Sequence, residues 1–521
     1  MKRSVILVIL DGWGVGEPDQ SNPIHEVNPQ NINYLKANFP AGLLQASGIS
    51  VGLPWGEEGN SEVGHLNLGA GKIIYQNFPR ITLAIRDGSF FKNQALQAAY
   101  EHAKKYNSNV NLIGLLSEGN VHASFEHLMA LIQFAQQKEI PQLNLHLFTD
   151  GRDGPPDSAL KLISRLRQDK FIKLASLSGR FYAMDRERHW DRTQKVYSVL
   201  VGEGPSTDNI EKYIEAVYDR KFSDEFIEPI SVKNGSGQKG LIKNNDTLIF
   251  FNFREDRIRQ LASAFIDKNF QNFPVKSFTN LYIATMTQYD KSFNVPVVFQ
   301  PEKVEVCLSK VLQDNGKFQL KVAETQKYPH ITYFFNGMRE EPFKNEYRIL
   351  IPSKTIVRQE EQPEMMAQEI STRAIESIQE NAFDFILINY ANADMIAHTG
   401  DYSACLKAVK IIDEQIGKLT ETVLEHKAVL IITSDHGNIE RVLDPLTGMP
   451  ETKHNPNPVP IHLVAKEFKF KQPKVDAGIY RLEKETIGIL ADVAPTILEL
   501  MGIPKPKEMT GRSLLRFMEV R

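Results

Sequence analysis

Metal-binding side chains and one hydroxyl recur along this chain, most of them where a buried strand is predicted to end. The candidates are Asp11, Ser61, Asp394, His398, Asp435, His436 and His454. Carboxylate oxygens and imidazole nitrogens in this mixture suit Mn²⁺ or Zn²⁺ better than Ca²⁺. A hydroxyl among such ligands suggests a nucleophile held against bound metals. The pattern therefore predicts metal-assisted chemistry at a serine.

The spacing of these ligands supports shared ions. Asp394 and His398 are four residues apart, so a helical turn would place both on one face. The adjacent Asp435 and His436 follow an apolar run and can reach different ions. His454 lies in a proline-rich loop. Taken singly, each piece has a plainer interpretation as a helix cap, a turn or an exposed histidine. Their joint occurrence favours a metal site.

Ser61 has the most distinctive local sequence, because Gly59 and Gly64 flank it and permit tight turns and close approach of a ligand. If Ser61 opens a helix, the N-terminal amides favour an oxyanion or a phosphate there. The alternative is an ordinary capping serine with Glu62 in the first turn.

A second group, rich in arginine, lies in the middle of the chain. It comprises His122, Arg152, Asp153, Arg180, Arg186, Arg254 and Arg257. Arginine binds carboxylate and phosphate through a planar fork of donors, so several converging arginines predict a small polyanion. The alternative, solvated caps and surface ion pairs, is the better interpretation for Arg188, Arg192 and Arg259. Lys327 is a further candidate for the same anion.

Short apolar runs alternate with amphipathic stretches, which predicts parallel sheets covered by helices. The runs are Val5–Leu10, Val110–Leu116, Leu143–Phe148, Ile172–Leu177, Thr247–Phe253, Leu281–Met286, Phe385–Tyr390, Val429–Thr433 and Ile461–Ala465. Ligands bind such sheets beyond the carboxyl ends of the strands. The expected fold class is α/β, with two domains of three layers each.

The metal-type pieces come from both ends of the chain and enclose the arginine-rich middle. We therefore expect a discontinuous metal-binding domain, 1–75 with 302–521, and an inserted substrate-binding domain, 76–301. A length of 521 residues exceeds one ordinary core. Near the end, Asp492 and Pro495 predict the start of an apolar helix over Ile497–Met501, which Gly502 ends.

Composition excludes several classes of partner. The formal net charge of −3, from 61 basic and 64 acidic side chains, provides no field for nucleic acid or anionic membrane. Two cysteines, Cys307 and Cys405, imply no disulfide framework and indicate the cytoplasm. The first apolar run stops at Asp11 without a cleavage site, so a buried strand is preferred to a secretory signal.

Long motifs resemble those of the cofactor-independent phosphoglycerate mutases of the alkaline phosphatase superfamily, nearly from end to end. They include Leu10-Asp11-Gly12-Trp13-Gly14, Gly59-Asn60-Ser61-Glu62-Val63-Gly64-His65, Asp150-Gly151-Arg152-Asp153, Phe251-Asn252-Phe253-Arg254 and Thr433-Ser434-Asp435-His436-Gly437-Asn438. The resemblance implies an alkaline-phosphatase-like metal domain and interconversion of 3-phosphoglycerate and 2-phosphoglycerate in glycolysis and gluconeogenesis, without 2,3-bisphosphoglycerate. We expect a monomer acting on this small substrate.

The resemblance also implies residue roles. Ser61 becomes the phosphoserine nucleophile, and two divalent ions are implied, Mn²⁺ first, with Mg²⁺, Zn²⁺ or Co²⁺ as alternatives. One ion would be held by Asp394, His398 and His454, and the other by Asp11, Ser61, Asp435 and His436. The substrate would be held by His122, Arg152, Asp153, Arg180, Arg186, Arg254, Arg257 and Lys327. Asp153 is the expected acid/base.

The chain departs from the family pattern at three positions that are not ligands. Gln326 stands where Glu is usual, and Ala393 and Ala397 replace Pro and Gly. Rival functions are a metal-dependent phosphomonoester hydrolase, another phosphomutase such as phosphopentomutase, and a non-catalytic metal- or phosphate-binding protein. The large arginine-bearing insertion disfavours a simple hydrolase.

Overall fold

The computed structural model describes residues 3–233, 237, 239–475 and 484–518. The chain divides into two compact units. One, here called the discontinuous unit, combines Met1–Gln76 with Glu302–Arg521; the other, the inserted unit, is Asn77–Pro301.

The strands, in chain order, are β1 (Val5–Leu10), β2 (Ala41–Gln45), β3 (Asn109–Leu116), β4 (Gln142–Thr149), β5 (Ile172–Gly179), β6 (Ser206–Thr207), β7 (Ile230–Val232), β8 (Thr247–Phe250), β9 (Tyr282–Thr287), β10 (Val297–Phe299), β11 (Gln319–Glu324), β12 (Glu346–Ile351), β13 (Phe385–Tyr390), β14 (Val429–Thr433), β15 (Val459–Val464) and β16 (Thr486–Ile489).

The α-helices are α1 (Pro23–Val27), α2 (Gln30–Asn38), α3 (Ser61–Ala70), α4 (Asn77–Arg86), α5 (Gln94–Tyr106), α6 (Phe125–Gln137), α7 (Ala159–Leu166), α8 (Arg180–Ala183), α9 (Trp190–Val201), α10 (Ile210–Asp219), α11 (Arg259–Ile266), α12 (Leu308–Asp314), α13 (Ala367–Gln379), α14 (Asn392–Ala397), α15 (Tyr402–Glu425) and α16 (Val493–Leu500). A single π-helical turn covers His330–Phe334.

Each unit is built on its own sheet. In the discontinuous unit the described strands run in the order β12-β11-β13-β1-β14-β15-β2-β16, and in the inserted unit β10-β9-β8-β3-β4-β5-β7-β6. In β1, Ile6 and Val8 pack into one buried cluster while Leu7 and Ile9 pack into another. Both faces of that sheet are therefore covered, which explains why the strand reads as a continuous apolar run. The expected α/β class with two layered domains is confirmed.

Two expectations about strands need correction. The run ending at Ala465 forms β15, but β15 is antiparallel to both β14 and β2. The segment between β14 and β15 contains no crossover helix. The chain therefore returns from the carboxyl end of β14, and β15 runs in the opposite direction. The run predicted to end at Phe253 stops as a strand at Phe250. Beyond it, the Phe253 amide donates to the His122 carbonyl instead.

The last helix begins earlier than expected. It starts at Val493 and ends at Leu500, so Pro495 lies in its first turn, where a missing amide proton costs little. In the described part of the chain, we find no helix that combines the length and the apolar character needed to cross a membrane.

Lys321 on β11 gives a pH-dependent stability that can be measured. Its ammonium donates to Asn336 Oδ1 at 2.5 Å and lies 3.5 Å from Glu346 Oε1, with no exposed surface. Burial outweighs the attraction of Glu346 and lowers the pKa of Lys321 to about 8. An unfolded lysine titrates near pH ~10.4. Between these two pKa values the unfolded chain therefore binds the additional proton.

The free energy of unfolding should consequently rise with pH from about 8 to 10. Compared with Lys321→Met, the parent should gain stability with a slope approaching about 1.4 kcal/mol per pH unit. Urea denaturation of both proteins at several pH values measures this difference. A stability difference that stays constant over the range would contradict the buried-lysine account.

Candidate metal centre and arginine cluster

The candidate metal ligands meet at one edge of the sheet in the discontinuous unit. β1 lies between β13 and β14 and is parallel to both, so the three carboxyl ends are adjacent. Asp11 directly follows β1, Asp394 lies in the short helix after β13, and Asp435 comes two residues after the end of β14. All three side chains are buried. The topology thus brings together carboxylates that are far apart in sequence.

The first ligand group is Asp394, His398 and His454. The Nε2 atoms of the two histidines lie 3.1 and 3.2 Å from Asp394 Oδ1, and 3.1 Å from each other. His398 Nδ1 contacts the Thr452 carbonyl and His454 Nδ1 the Gly59 carbonyl, each at 2.8 Å. Since a carbonyl only accepts, each Nδ1 carries a proton, and in the neutral rings each Nε2 presents its lone pair. Three lone-pair donors therefore converge.

The second group is Asp11, Asp435 and His436, whose ligand atoms all lie within 4.8 Å of one another. Asp435 Oδ1 accepts hydrogen bonds from the amides of Gly12 and His436. The other oxygen, Oδ2, is buried and accepts no well-directed hydrogen bond, although His65 Nδ1 lies 3.1 Å from it. A buried carboxylate oxygen left in this state needs a cation or a donor.

Ser61 occupies the first position of α3, and the N-cap is Asn60. Asn60 Oδ1 accepts from the Val63 amide, so the capping interpretation for the serine is wrong and the Ser61 hydroxyl is left for other partners. Ser61 Oγ lies 3.1 Å from Asp11 Oδ1 and 3.0 Å from His436 Nε2.

Close packing explains one of the flanking glycines. A Cβ on Gly64 would lie 2.6 Å from the Asp435 carbonyl oxygen, so only glycine lets α3 approach this loop. That approach sets the Ser61 hydroxyl beside the second ligand group.

Lys327 lies among the candidate metal ligands. Its ammonium donates to Asp11 Oδ1 at 2.6 Å, to Asp394 Oδ2 at 2.7 Å and to Ser61 Oγ at 2.8 Å. Burial opposes its charge, but Asp11 and Asp394 overcome that and raise the pKa of Lys327 well above its usual value. The charged form of Lys327 is therefore favoured beside the serine hydroxyl.

The donor set fits divalent cations. Three buried carboxylates, those of Asp11, Asp394 and Asp435, share Lys327 as their lysine partner. Burial disfavours a charged imidazole, yet these carboxylates raise the pKa of His436 to about 10. The cluster is therefore short of positive charge. Hard carboxylate oxygens with neutral imidazole nitrogens suit Mn²⁺, Zn²⁺ and similar ions.

The arginine cluster of the inserted unit is built around Arg180. This buried guanidinium contacts Asp150 Oδ1 at 2.5 Å and Asp153 Oδ2 at 2.7 Å. Asp150 Oδ1 also accepts the backbone amides of Arg152 and Asp153, which fixes the loop after β4. His122 Nε2 lies 4.0 Å from Asp153 Oδ2. Asp150 thus organises the acid/base candidate and its neighbours.

Asp256 links other members of the cluster. Its carboxylate lies 3.5 Å from His122 Nδ1, 2.7 Å from Arg186 and 3.4 Å from Arg254 Nε. Burial, followed by the charges of Arg186 and Arg180, lowers the pKa of Arg257. Neighbouring cations that lower one another's pKa values in this way favour binding of an anion.

Several atoms of this cluster have no hydrogen-bond partner. His122 Nδ1 and Asp256 Oδ1 are buried without a hydrogen-bond partner, and Asp153 Oδ2 has only its ion pair with Arg180. Burial lowers the pKa of His122 to about 4, so its imidazole is neutral near pH 7 and can donate from one nitrogen and accept at the other. Unsatisfied buried groups beside cations are typical of a polar ligand site. Arg152 is largely exposed and lies 3.6 Å from Glu225.

Sequence reasoning missed several residues that hold these sites. Asn438 donates to Asp394 Oδ1 at 2.8 Å, and buried Glu440 accepts from the Gly14 and Asn438 amides. Asp150 and Asp256 were visible only as neighbours of arginine. The sequence gives only one indication of their role, which is that each lies close to a candidate residue. Neither forms a recognisable ligand spacing.

Comparison with known proteins identifies the family. A family model described as "BPG-independent PGAM N-terminus" matches residues 81–291. A 2,3-bisphosphoglycerate-independent phosphoglycerate mutase from Methanosarcina barkeri is 43% identical, covering 99% of this chain and 98% of its own. A second, from Clostridium botulinum, is also 43% identical, covering 99% and 100%. The chain belongs to this family of mutases. The predicted enzyme class, an isomerase that transfers phosphoryl groups intramolecularly, is confirmed.

Among solved structures, a phosphoglycerate mutase from Leishmania mexicana, determined at low cobalt concentration, matches with a TM-score of 0.52 and 27% identity. The match covers 98% of this chain and 97% of the Leishmania protein. The mutase fold therefore extends over both units of this chain. In this chain, the two ligand groups described above could each hold a metal ion.

Proposed function

We propose that this member of the mutase family interconverts 3-phosphoglycerate and 2-phosphoglycerate through a phosphoserine at Ser61, without 2,3-bisphosphoglycerate. The observation that carries the proposal is the environment of the Ser61 hydroxyl. It opens α3 and contacts the Lys327 ammonium, with Asp11 and His436 within 3.1 Å. A hydroxyl placed so is suited to attack a phosphoryl group.

Two divalent ions, Mn²⁺ in our proposal, would occupy the two ligand groups. Asp394, His398 and His454 would hold one, and Asp11, Ser61, Asp435 and His436 the other. When bound, the ions lower the pKa of the serine hydroxyl and neutralise phosphoryl charge. Lys327 adds its own charge, and the position of Ser61 at the N-terminus of α3 favours an anion there.

Retention of the glycerate falls to the arginine cluster in this proposal. Arg152, Arg180, Arg186, Arg254 and Arg257 supply charged donors for carboxylate and hydroxyl oxygens, and His122 adds a neutral imidazole. The reaction needs a group that takes a proton from one glycerate hydroxyl and returns it to the other. Asp153 fits that role because Arg180 fixes it and its Oδ2 lies 4.0 Å from His122 Nε2.

A coupled assay tests the proposal directly. The purified chain is given 3-phosphoglycerate without 2,3-bisphosphoglycerate, with and without Mn²⁺, while inorganic phosphate is measured in parallel. We expect 2-phosphoglycerate to form only with metal and in large excess over phosphate. Phosphate release without isomerisation would support the rival hydrolase instead.

Asp153→Asn should slow isomerisation more than it slows release of phosphate to water. Because the variant cannot carry a proton between the two hydroxyls, isomerisation should fall by about 10²–10⁴-fold, the usual contribution of general acid–base catalysis. Phosphate released from Ser61 to water should rise relative to 2-phosphoglycerate formed. Both products are measured under identical conditions.

Asp157→Asn provides the matched control, since Asp157 is an exposed carboxylate only four residues further on. It should leave both rates near those of the parent. A parental isomerisation rate in Asp153→Asn, without increased phosphate release, would remove Asp153 from the proposed role.

A further inference from the structure

Two buried side chains that have no role so far contact members of the second ligand group. Neither His65 nor Asn389 has exposed surface. Asn389 Nδ2 donates to Asp11 Oδ2 at 2.8 Å and lies 3.0 Å from His65 Nε2. The other ring nitrogen, His65 Nδ1, lies 2.8 Å from the Ser61 carbonyl oxygen and 3.1 Å from Asp435 Oδ2. The pair therefore reaches two carboxylates of the group and the backbone of the nucleophile.

These contacts determine which atom donates in the hydrogen bonds that link Asp11, Asn389 and His65. If the Asn389 amide were reversed, its carbonyl oxygen would face the Asp11 carboxylate, so the amide nitrogen must point there. That nitrogen only donates, and His65 Nε2 must accept from it. The proton on His65 Nδ1 is then donated to the Ser61 carbonyl oxygen, and Asp435 Oδ2 lies 3.1 Å from the same nitrogen.

We propose that Asn389 and His65 are positioning residues for the metal ion held by Asp11, Asp435 and His436. Asn389 fixes the direction of the Asp11 carboxylate by a hydrogen bond. His65 fixes the first turn of α3 by its hydrogen bond to the Ser61 carbonyl, and its Nδ1 makes a 3.1 Å electrostatic contact with Asp435 Oδ2. Hydrogen bonds of this kind reduce the number of orientations that a ligand must give up when the ion binds. The inference rests on the proposed function only in requiring that the site binds a divalent ion.

Mn²⁺ affinity of the full-length protein tests the proposal without any substrate. Titration calorimetry of the metal-free parent should resolve two sites. In Asn389→Leu, one site should weaken by about 10–100-fold, the usual effect of removing an outer partner of a metal ligand, and the other should change little. Since no turnover is measured, a protein that binds Mn²⁺ normally but lacks mutase activity would contradict the proposed function and leave this inference intact.

Asn67→Leu is the matched control. Asn67 is also fully buried, and its amide bonds Val51, Val63 and Ile74 rather than any candidate ligand. The same change of amide to leucine there should lower stability while leaving both Mn²⁺ affinities at parental values. Should Asn389→Leu fail to fold, Asn389→Ser removes the same donor with a smaller side chain and is measured in its place.

Conservative replacement distinguishes positioning from simple packing. The side-chain nitrogen of asparagine occupies nearly the same place as His Nδ1, so His65→Asn keeps the donor toward Ser61 and Asp435. It should bind Mn²⁺ more tightly than His65→Leu. Equal affinities of the two His65 variants, parental affinity in Asn389→Leu, equal weakening of both sites, or no Mn²⁺ binding by the parent would each overturn the proposal.

Discussion

Ser61→Ala is expected to reduce mutase turnover by at least about 10⁴-fold, the scale seen when a covalent nucleophile is removed. The hydroxyl is the acceptor of the phosphoryl group in the proposed route, and none of its neighbours, Lys327, Asp11 or His436, can replace it while serving as donor or ligand. The fold should survive, because only one oxygen is lost at the start of α3. The coupled assay checks the loss of turnover, and thermal unfolding of the variant checks that the fold survives.

Ser371→Ala is the control for loss of a buried hydroxyl. Ser371 Oγ contacts the Ala367 carbonyl and the Tyr390 hydroxyl, away from the candidate ligands. Its removal should change turnover by less than tenfold. If Ser61→Ala retained a turnover comparable with that of Ser371→Ala, Ser61 could not be the covalent acceptor.

Removal of metal should abolish turnover and lower stability together. Without cations, the carboxylates of Asp11, Asp394 and Asp435 remain buried with Lys327 as their lysine partner. Each ion that binds only the folded state adds roughly 2.7 kcal/mol at a free concentration one hundred times its Kd. Dialysis against a chelator should therefore lower the melting temperature, and Mn²⁺ should restore both stability and turnover.

Substitution of other ions identifies the metal. Mg²⁺, Zn²⁺, Co²⁺ and Ca²⁺ are added separately to the chelated protein, with residual metal measured by mass spectrometry. We expect recovery with Mn²⁺, and poor recovery with Ca²⁺ because imidazole nitrogens are unfavourable for it. Full turnover in protein shown to be free of metal would contradict the proposed chemistry.

The strand ends of the discontinuous unit could be predicted from sequence because both faces of its sheet are buried. Continuous apolar runs gave the bounds of β1, β13 and β14 without error, and the polar residues after them include Asp11, Asp394 and Asp435. Strand direction could not be predicted in the same way. β15 is buried along its whole length, as β14 is, and its antiparallel course depends on the path of the preceding loop.

The supporting residues could not be predicted, because their roles depend on contacts between distant segments. Asn389 lies inside β13, and its contact with Asp11 exists only because β13 pairs with β1. His65 offered a local signal, since it lies four residues after Ser61 in the same helix, but its partner Asp435 is distant in sequence. Lys327 was predicted only as a substrate-binding residue, because its contacts with Asp11 and Asp394 also join distant segments.

The central claim, a phosphoserine at Ser61, is tested most directly by rapid quench. The Mn²⁺-loaded protein is mixed with 3-phosphoglycerate carrying labelled phosphate, stopped in acid within the first turnovers, digested and analysed by mass spectrometry. We expect label on the peptide that contains Ser61, appearing before labelled 2-phosphoglycerate and absent from Ser61→Ala. Formation of 2-phosphoglycerate at the parental rate with no labelled peptide at any time, or label on a different residue, would contradict it.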